Sequence, residues 1–132
     1  MSSIFSKIVA GEIPCYKIRE DEYFLAFLDI FPMAKGHVLV IPKTATDKFF
    51  DLPEEVLANM LVFARPIAKA IEASFACNRC GMSVIGLEVP HAHLHLVPID
   101  SADDLNFTRK KLELSKEEML AIQQKLCAAL SE

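Results

Sequence analysis

Short apolar runs separated by glycine, proline and acidic residues fill the first third of the chain. Apolar positions within residues 4–9 predict one or two helical turns that end at Gly11. Three further runs predict strands over residues 16–19, 23–30 and 36–42. The last run is rich in β-branched residues and is bounded by glycine and proline, which is typical of a buried strand.

The hydrophobic pattern changes to a helical period between Pro53 and Phe75. Glu54 and Glu55 occupy the predicted first turn, where acidic side chains suit the helix dipole. Pro66 falls inside the pattern, so we expect it to kink this helix or to split it in two. The apolar positions that define the period are Val56, Leu57, Met60, Leu61, Phe63, Ala64, Ile67, Ala68 and Ile71.

The second half of the chain returns to strands and then to a helix. Residues 82–85 and 92–99 predict two strands, and residues 100–114 predict a mostly polar connection. Ser115 and Glu118 have the spacing of a capping box, which opens a last helix that extends to residue 130. We expect its apolar stripe to pack on the domain or on a dimer partner; the stripe consists of Met119, Ile122, Leu126 and Leu130.

The order of these elements, strands, helix, strands and helix, favours one α+β domain over residues 1–132. We expect a mainly antiparallel sheet with a central helix and an added C-terminal helix. The chain has no internal repeat and no low-complexity tract that would indicate a second domain.

Composition narrows the possible partners. The chain has 132 residues, of which 52% are hydrophobic, and a net charge of -4, so we expect no nucleic-acid partner. An anionic ligand must therefore meet a local positive site; Lys35 and Lys43 are available, but surface lysines are common. We expect no signal peptide and no membrane segment. The four cysteines form no dense framework, which indicates reduced thiols and a cytoplasmic location.

Three of the four histidines lie within five residues, at His91, His93 and His95, and they alternate with Ala92 and Leu94. On a strand, residues two apart point to the same face, so the three imidazoles share one face and the apolar residues the other. On a helix, His93 would point away from its two partners. This arrangement indicates a functional site rather than ordinary packing.

Two kinds of chemistry use a row of imidazoles. A zinc ion with ligand bonds of about 2.1 Å can take neighbouring rings. It would not easily take His91 and His95 together, because residues four apart on a strand are separated by roughly 13 Å. The second kind is nucleophilic catalysis on phosphorus, in which a neutral imidazole attacks and its neighbours donate hydrogen bonds to the phosphate oxygens.

The run from His91 to Val97, His-Ala-His-Leu-His-Leu-Val, resembles the signature of the histidine triad family, His-x-His-x-His followed by apolar residues. Residues 4–8, 11–14, 27–30 and 36–43 are similar, in the same order, to the N-terminal blocks of that family. The resemblance covers residues 4 to about 99 as the core of the domain. Residues 100–132 are then a C-terminal extension.

The resemblance implies a nucleotide hydrolase or transferase that cleaves a nucleoside phosphoramidate or a dinucleoside polyphosphate. His93 would be the nucleophile and would form a nucleotidyl-imidazole intermediate. His95 would contact the phosphate, His91 would help to hold the site, and His37 matches a family histidine on an earlier strand. No cofactor and no metal is implied by this chemistry.

The resemblance also implies a nucleotide site. Asp29 matches the acid that holds the ribose hydroxyls. The apolar cleft around a purine base corresponds to Phe5, Ile8, Phe27 and Ile30. Gly86 and Val89 belong to the segment that approaches the phosphate just before the triad. The family is commonly a homodimer whose sheet continues across the interface.

The chain departs from the family pattern at three places. Leu87 and Glu88 stand where well-known members have glutamine and serine. Either Glu88 transfers a proton to the leaving group, or it points elsewhere, or the substrate differs. Ser3 and Ser6 stand where some members have the two cysteines of a zinc site. Cys77 and Cys80 have the spacing of a metal knuckle or redox pair, but the chain has no second such pair, and ordinary cysteines are expected.

Two alternatives to the hydrolase stay open. The chain could be a nucleotide-binding regulator that lost turnover through the change at Leu87 and Glu88; binding without a covalent intermediate would favour it. It could instead be a zinc-binding protein built on the same histidines, which stoichiometric zinc in protein purified without added metal would favour.

Overall fold

Residues 3–131 are described by the computed structural model and form a five-stranded sheet with helices on both sides. The helices and strands are α1 (Ile4–Val9), β1 (Lys17–Glu20), β2 (Phe24–Leu28), β3 (Val38–Pro42), α2 (Glu54–Ser74), β4 (Arg79–Ser83), β5 (Leu94–Ile99) and α3 (Lys116–Leu130). The strand order is β1-β2-β3-β5-β4, and every neighbouring pair is antiparallel. The predicted α+β class with an antiparallel sheet is confirmed.

One face of the sheet is covered by α2 and α3. Because side chains alternate along each strand, every second residue of β2, β3 and β5 points to these helices. The main members of this core are Phe24, Ala26, Leu28, Val38, Val40, Leu94 and Leu96 from the strands, Met60, Phe63, Ile67 and Ile71 from α2, and Met119, Ile122 and Leu126 from α3. The apolar stripe of the last helix therefore packs on this sheet.

The helix α2 is continuous through Pro66. Of the two outcomes expected at Pro66, a kink or a split, the split was wrong. A proline inside a helix costs about 3 kcal/mol, because it removes a hydrogen bond and crowds the preceding turn. Its neighbours Phe63 and Ile67 are buried against the sheet, and each such burial stabilises the fold by about 1.5–3 kcal/mol. Burial of this helix face outweighs the local cost.

The opposite face of the sheet carries a smaller apolar cluster beneath α1. It contains Phe5, Leu25, Phe27, Leu39 and Ile41, with Ile8, Val9, Cys15 and Val89 packed against it. The register between strands places Phe27 opposite Leu39, and Leu39 opposite His95. The histidine side chain of β5 thus lies on the face that α1 covers, away from the two long helices.

The last two strands differ from their predicted limits. β4 begins three residues before the predicted segment 82–85, because its pairing with β5 runs from Arg79 opposite Ile99 to Ser83 opposite His95. β5 begins at Leu94 rather than at residue 92, because the backbone N–H of Ala92 donates to the Thr46 carbonyl at 2.6 Å. Hydrogen-bond partners that are distant in sequence, rather than residue propensity, set both limits.

The connection between β5 and α3 contains a short 3-10 helix, Ala102–Leu105, and ends at the predicted capping box. The Ser115 hydroxyl accepts from the Glu118 N–H at 3.1 Å, and the Glu118 carboxylate accepts from the Ser115 N–H at 3.1 Å. Between residues 3 and 131, no helix has both the length and the apolar character needed to cross a bilayer.

Candidate active site

The three clustered histidines lie on one side of the sheet, as the alternation predicted. The intervening Ala92 and Leu94 belong to the core beneath α2, whereas the imidazoles lie beside α1. The ring centroids of His93 and His95 are 5.0 Å apart. All three imidazoles are buried, although only His95 belongs to the regular strand.

His93 is held in one tautomer by the backbone. Its Nδ1 donates to the carbonyl of His91 at 2.6 Å, so the proton of the neutral ring resides on Nδ1 and the lone pair on Nε2. The Phe5 ring packs edge to face on this imidazole, with centroids 5.0 Å apart. Burial lowers the pKa of His93, although the bond to the His91 carbonyl acts in the other direction. A neutral ring with a fixed lone pair can act as a nucleophile.

His37 and His95 form a hydrogen-bonded pair that fixes both of their tautomers. The Met33 N–H donates to His37 Nδ1 at 2.9 Å, so the ring proton of His37 is on Nε2. This Nε2–H then donates to His95 Nδ1 at 2.9 Å. The remaining proton of His95 is therefore on Nε2, where it can be donated to an anionic oxygen. The pairing of Leu39 with His95 brings the two rings together.

The protein environment keeps this histidine pair neutral. Burial, followed by the charges of His95, Lys111 and His93, lowers the pKa of His37 to about 3. Burial, together with the charges of His93 and Lys111, lowers the pKa of His95 to about 4. At neutral pH both rings are uncharged, so His95 can offer an anion a hydrogen bond from Nε2 but no positive charge.

His91 lies between the end of β3 and the start of α1. Its Nε2 donates to the Pro42 carbonyl at 2.8 Å, which leaves Nδ1 as an acceptor. The hydroxyls of Ser3 and Ser6 lie 3.4 and 3.3 Å from that Nδ1. Ser3 also caps α1 by accepting from the Ser6 N–H. Both nitrogens of His91 are thus used to join α1, β3 and the triad segment.

Asp29 lies just after β2, beside His37. One carboxylate oxygen accepts from the Phe31 N–H at 2.9 Å, and the other lies 3.7 Å from His37 Nε2. Burial raises the pKa of Asp29; the Phe31 bond and the charge of Lys111 oppose this shift, and the charge of Glu88 adds to it. The exposed Glu88 is therefore close enough to act on the site electrostatically.

The four residues predicted to line a base cleft have different environments. The rings of Phe5 and Phe27 are buried and pack edge to face, with centroids 5.5 Å apart, and Ile8 is partly buried beside them. Ile30 is 55% exposed and lies outside this cluster. Phe5, Phe27 and Ile8 therefore form one apolar cluster, whereas Ile30 is exposed to solvent outside it.

The segment before the triad is open to solvent. Gly86 has a φ of 74°, in the left-handed region that favours glycine. Leu87 is 90% exposed, whereas Val89 turns inward to the cluster beneath α1. The His91 N–H donates to the Val89 carbonyl at 2.8 Å, which turns the chain sharply into the triad.

Two residues of the site were missed by the sequence analysis because they lie in the polar connection before α3. The Phe107 ring packs on His95 and His37, at centroid distances of 4.6 and 6.0 Å. The Lys111 side chain donates to the Phe107 carbonyl, and its charge acts on the nearby histidines. The sequence did contain one indication that this connection packs on the domain, because Phe107 is the one aromatic residue within positions 100–114.

A model of the HIT domain matches residues 10–102 of the chain. The chain belongs to the histidine triad family. This match includes the three clustered histidines, His37 and Asp29.

Two curated relatives in the family have assigned activities. The chain is 41% identical to adenosine 5'-monophosphoramidase HNT1 of Saccharomyces cerevisiae over 96 residues, which cover 72% of this chain and 61% of the yeast protein. It is also 41% identical to adenosine 5'-monophosphoramidase hnt1 of Schizosaccharomyces pombe over 99 residues, 74% of each protein. The chain thus spans less than two thirds of the Saccharomyces relative.

Solved structures of histidine triad proteins share the whole fold. A Hit-like protein involved in cell-cycle regulation from Bartonella henselae superposes with a TM-score of 0.84 at 28% identity, covering 97% of this chain and 96% of that one. A zinc-bound histidine triad protein from Mycobacterium smegmatis gives a TM-score of 0.82 at 34% identity, covering 99% and 94%. The C-terminal helix is therefore included in these similarities.

The donor sets of this histidine triad chain do not fit a zinc ion. At the N-terminal position, Ser3 and Ser6 offer neutral hydroxyls, and both nitrogens of His91 are already hydrogen-bonded. Asp29, His37 and His95 bring three donor atoms within 4.8 Å of one another. A metal on His37 Nε2 would move the ring proton to Nδ1, where it would face the Met33 N–H.

The cysteine pair has the chemistry of ordinary thiols. Burial and the charge of Glu72 raise the pKa of Cys80 to about 12, and burial also raises the pKa of Cys77. Both thiols are free. Raised pKa values leave little thiolate, which is the form that reacts and binds metal.

Proposed function

We propose that this chain hydrolyses a nucleotide conjugate through a covalent intermediate on His93. The substrate class is a nucleoside phosphoramidate or a dinucleoside polyphosphate. His93 is the nucleophile, His95 contacts the phosphate, and His91 and His37 position the two. No metal ion or organic cofactor takes part in the proposed reaction.

The observation that carries this proposal is the 2.6 Å bond from His93 Nδ1 to the His91 carbonyl. This bond keeps the proton on Nδ1 and leaves Nε2 ready to attack. It also becomes stronger as the ring gains positive charge in the intermediate. A histidine with only a packing role would not need a fixed lone pair. On His93 that lone pair is fixed, and the neighbouring His95 has a fixed Nε2–H donor.

The proposed reaction has two steps. His93 Nε2 attacks phosphorus, the bond from phosphorus to the leaving group breaks, and the leaving group departs with the bonding electrons and takes up a proton. Glu88 is the candidate donor of that proton, which its carboxylate must first take up from solvent. A water molecule then attacks phosphorus, the bond to Nε2 breaks, and the nucleoside monophosphate leaves while the proton of water is released. The Nε2–H of His95 hydrogen-bonds the phosphate oxygens in both steps.

The residues that contact the ribose and the base, and those that lead to the phosphate, are proposed from their residue type and position. Asp29 holds the ribose hydroxyls with the carboxylate oxygen that faces His37. Phe5, Ile8, Phe27 and Ile30 contact a purine base, and Gly86 and Val89 shape the approach to the phosphate. The printed activities of the two yeast relatives support an adenosine phosphoramidate as the first substrate to test.

The test is intact-protein mass spectrometry after rapid quenching without acid. Wild type and His93→Ala are mixed with an adenosine phosphoramidate and, separately, with a dinucleoside polyphosphate. We expect a nucleotidyl mass on wild type alone, and a loss of turnover of roughly 10³-fold or more in His93→Ala, with fold and nucleotide affinity retained. If His93→Ala turns over as fast as wild type, the mechanism is wrong.

The outcome that favours a regulator is equally definite. Nucleotide binding by wild type, without an adduct and without product, would support a non-catalytic binder. The exposed Leu87 and Glu88 would then be the first residues to replace by the family's glutamine and serine, and restored turnover would locate the loss at that segment.

We further propose that the chain is a cytoplasmic, one-domain homodimer. The packing of α3 on the same core as α2 supports one domain. The four free thiols suit a reducing compartment. The edge strand β4 supports a dimer. Within residues 3–131 it pairs on its β5 side alone, and it has exposed apolar residues at and after its end, namely Met82, Val84 and Ile85.

A further inference from the structure

The connection before α3 folds back over the histidines as a short strap, defined here as residues 106–112. The Leu112 N–H donates to the Pro32 carbonyl at 2.8 Å, which ties the strap to the loop after β2. Near its other end, the Phe107 ring covers His95 at a centroid distance of 4.6 Å. The strap is therefore a wall of the candidate active site.

Lys111 is fixed within this strap by backbone oxygens. Its Nζ lies 2.5 Å from the Phe107 carbonyl oxygen and 3.5 Å from that of Arg109. It also lies 5.7 Å from the centroid of the Phe107 ring. Within residues 3–131, no aspartate or glutamate forms a salt bridge with Lys111. Its ammonium is thus not held in a salt bridge, although its charge acts on the Asp29 carboxylate at longer range.

The other lysines considered for this site are already paired. Lys35 forms a salt bridge with Glu118 at 3.3 Å, and Lys43 forms one with Glu20 at 2.8 Å. Their charges are compensated by carboxylates on α3 and β1. Lys111 differs from both, because its partners are neutral carbonyls.

The charges around the site favour a cation beside a bound phosphate. His37 and His95 are uncharged at neutral pH, and Asp29 and Glu88 contribute negative charge to the same region. A phosphate placed there would be repelled without a compensating charge. Lys111 Nζ lies 5.7 Å from the centroid of the Phe107 ring, and that ring packs on His95 at a centroid distance of 4.6 Å, so the ammonium is next to the ring proposed to donate to the phosphate. Its charge also lowers the pKa of Asp29, His37 and His95.

We propose that Lys111, held beside Phe107 in the strap, is the cation that binds the phosphate of the substrate. Its ammonium exchanges a backbone carbonyl for a phosphate oxygen when a nucleotide binds. The strap then distinguishes a nucleotide from a nucleoside. This inference rests on the proposed function, since it names the residue that neutralises the phosphate next to His93.

The test compares binding of AMP and of adenosine by isothermal titration calorimetry. The variants are Lys111→Ala, Lys111→Arg and, as the matched control, Lys110→Ala, which removes an exposed neighbouring charge. We expect Lys111→Ala to weaken AMP binding about tenfold and adenosine binding less than about twofold. Lys111→Arg should retain most of the AMP affinity, and Lys110→Ala should behave as wild type.

Several results would overturn the assignment. Equal AMP affinity in wild type and Lys111→Ala would do so, as would an equal loss in Lys110→Ala, which would indicate a general charge effect. So would wild-type protein that binds AMP no more tightly than adenosine. Circular dichroism of each variant verifies folding. If Lys111→Ala is unstable, Lys111→Met keeps the test decisive, because it retains the length of the side chain and removes its charge.

The failure of this inference can be separated from failure of the proposed function. A nucleotidyl adduct on wild type with unchanged AMP binding in Lys111→Ala would reject Lys111 alone. Weakened AMP binding in Lys111→Ala without an adduct on wild type would reject the covalent mechanism and retain the phosphate subsite.

Discussion

Hydrogen bonds to single residues determine how each histidine can act. The His91 carbonyl selects the proton position of His93, and the Met33 N–H selects that of His37 and, through it, of His95. These partners come from the main chain or from another ring, so ordinary side-chain substitutions elsewhere leave them in place. The lone pair on His93 and the donor on His95 are consequences of backbone geometry.

The buried neutral histidines should make folding stability depend on pH. Unfolded histidine titrates near 6.5, whereas His37 and His95 titrate near 3 and 4 in the native state. Between these values the unfolded chain binds more protons, so the free energy of unfolding falls as pH decreases from about 7 toward 4. The raised pKa of Asp29 opposes part of this loss, because its native carboxyl binds a proton first.

Urea unfolding at about pH 7 and pH 4.5 measures the effect. Each buried imidazole should contribute a loss on the order of 2 kcal/mol over this interval. His37→Gln, which cannot titrate, should lose correspondingly less on acidification than wild type, whatever its stability at pH 7. Lys110→Ala should show the wild-type difference. Identical pH dependence in wild type and His37→Gln would show that His37 is not buried in the neutral form.

At the scale of elements, two periodicities build the site. The period of two on β5 and the segment before it separates imidazoles from apolar side chains, and the helical period of α2 supplies the core that holds the sheet. Neither element makes the site by itself. His37 comes from the residue before β3, and the Ser3 and Ser6 hydroxyls come from the cap and the first turn of α1.

Pro66 allows a test of whether a proline inside the continuous helix α2 lowers the stability of the protein. Pro66→Ala should restore the hydrogen bond from residue 66 to the Val62 carbonyl, which lies four residues earlier in the continuous helix. We expect the variant to be more stable by about 1–3 kcal/mol in urea unfolding. Arg65→Ala, an exposed neighbour, should change stability by less than about 0.5 kcal/mol. A lower stability of Pro66→Ala would mean that the proline relieves strain in this helix.

At the scale of the whole molecule, the sheet is covered on both faces but not at both edges. α2 and α3 pack on one side, and α1 with the histidines lies on the other. The edge strand β4 has an intermediate or exposed burial at every position, which contrasts with the buried strands β2 and β3. An open strand edge with apolar neighbours is suited to pairing with a second copy.

The proposed dimer is tested by light scattering after size-exclusion chromatography. Wild type should elute with twice the mass of the chain, and Met82→Arg should shift it toward monomer, because it places a charge at the end of the edge strand. Phe50→Arg is the matched control, since Phe50 is also an exposed apolar residue, at 84%, but lies far from β4 in sequence. A monomeric wild type would reject the dimer, and an equal effect of Phe50→Arg would reject β4 as its interface.

The hydrophobic pattern of the sequence was sufficient to predict the strands, the two long helices and the face of the sheet on which the histidines lie. Five strand runs, two long helices and the capping box at Ser115 all depend on local order along the sequence, so they could be predicted. The limits of β4 and the continuity of α2 could not, because pairing with β5 and burial of Phe63 and Ile67 override local preference.

The candidate site likewise has features that the sequence could predict and features that it could not. The sequence by itself determined that His91, His93 and His95 share one face, because a strand's side chains alternate whatever surrounds it. Only the tertiary structure decided the proton position on each ring and the addition of Phe107 and Lys111, since these depend on groups that are distant along the chain or on the backbone. Periodicity is a local property of the chain, whereas hydrogen-bond partners and electric fields depend on distances that folding alone sets.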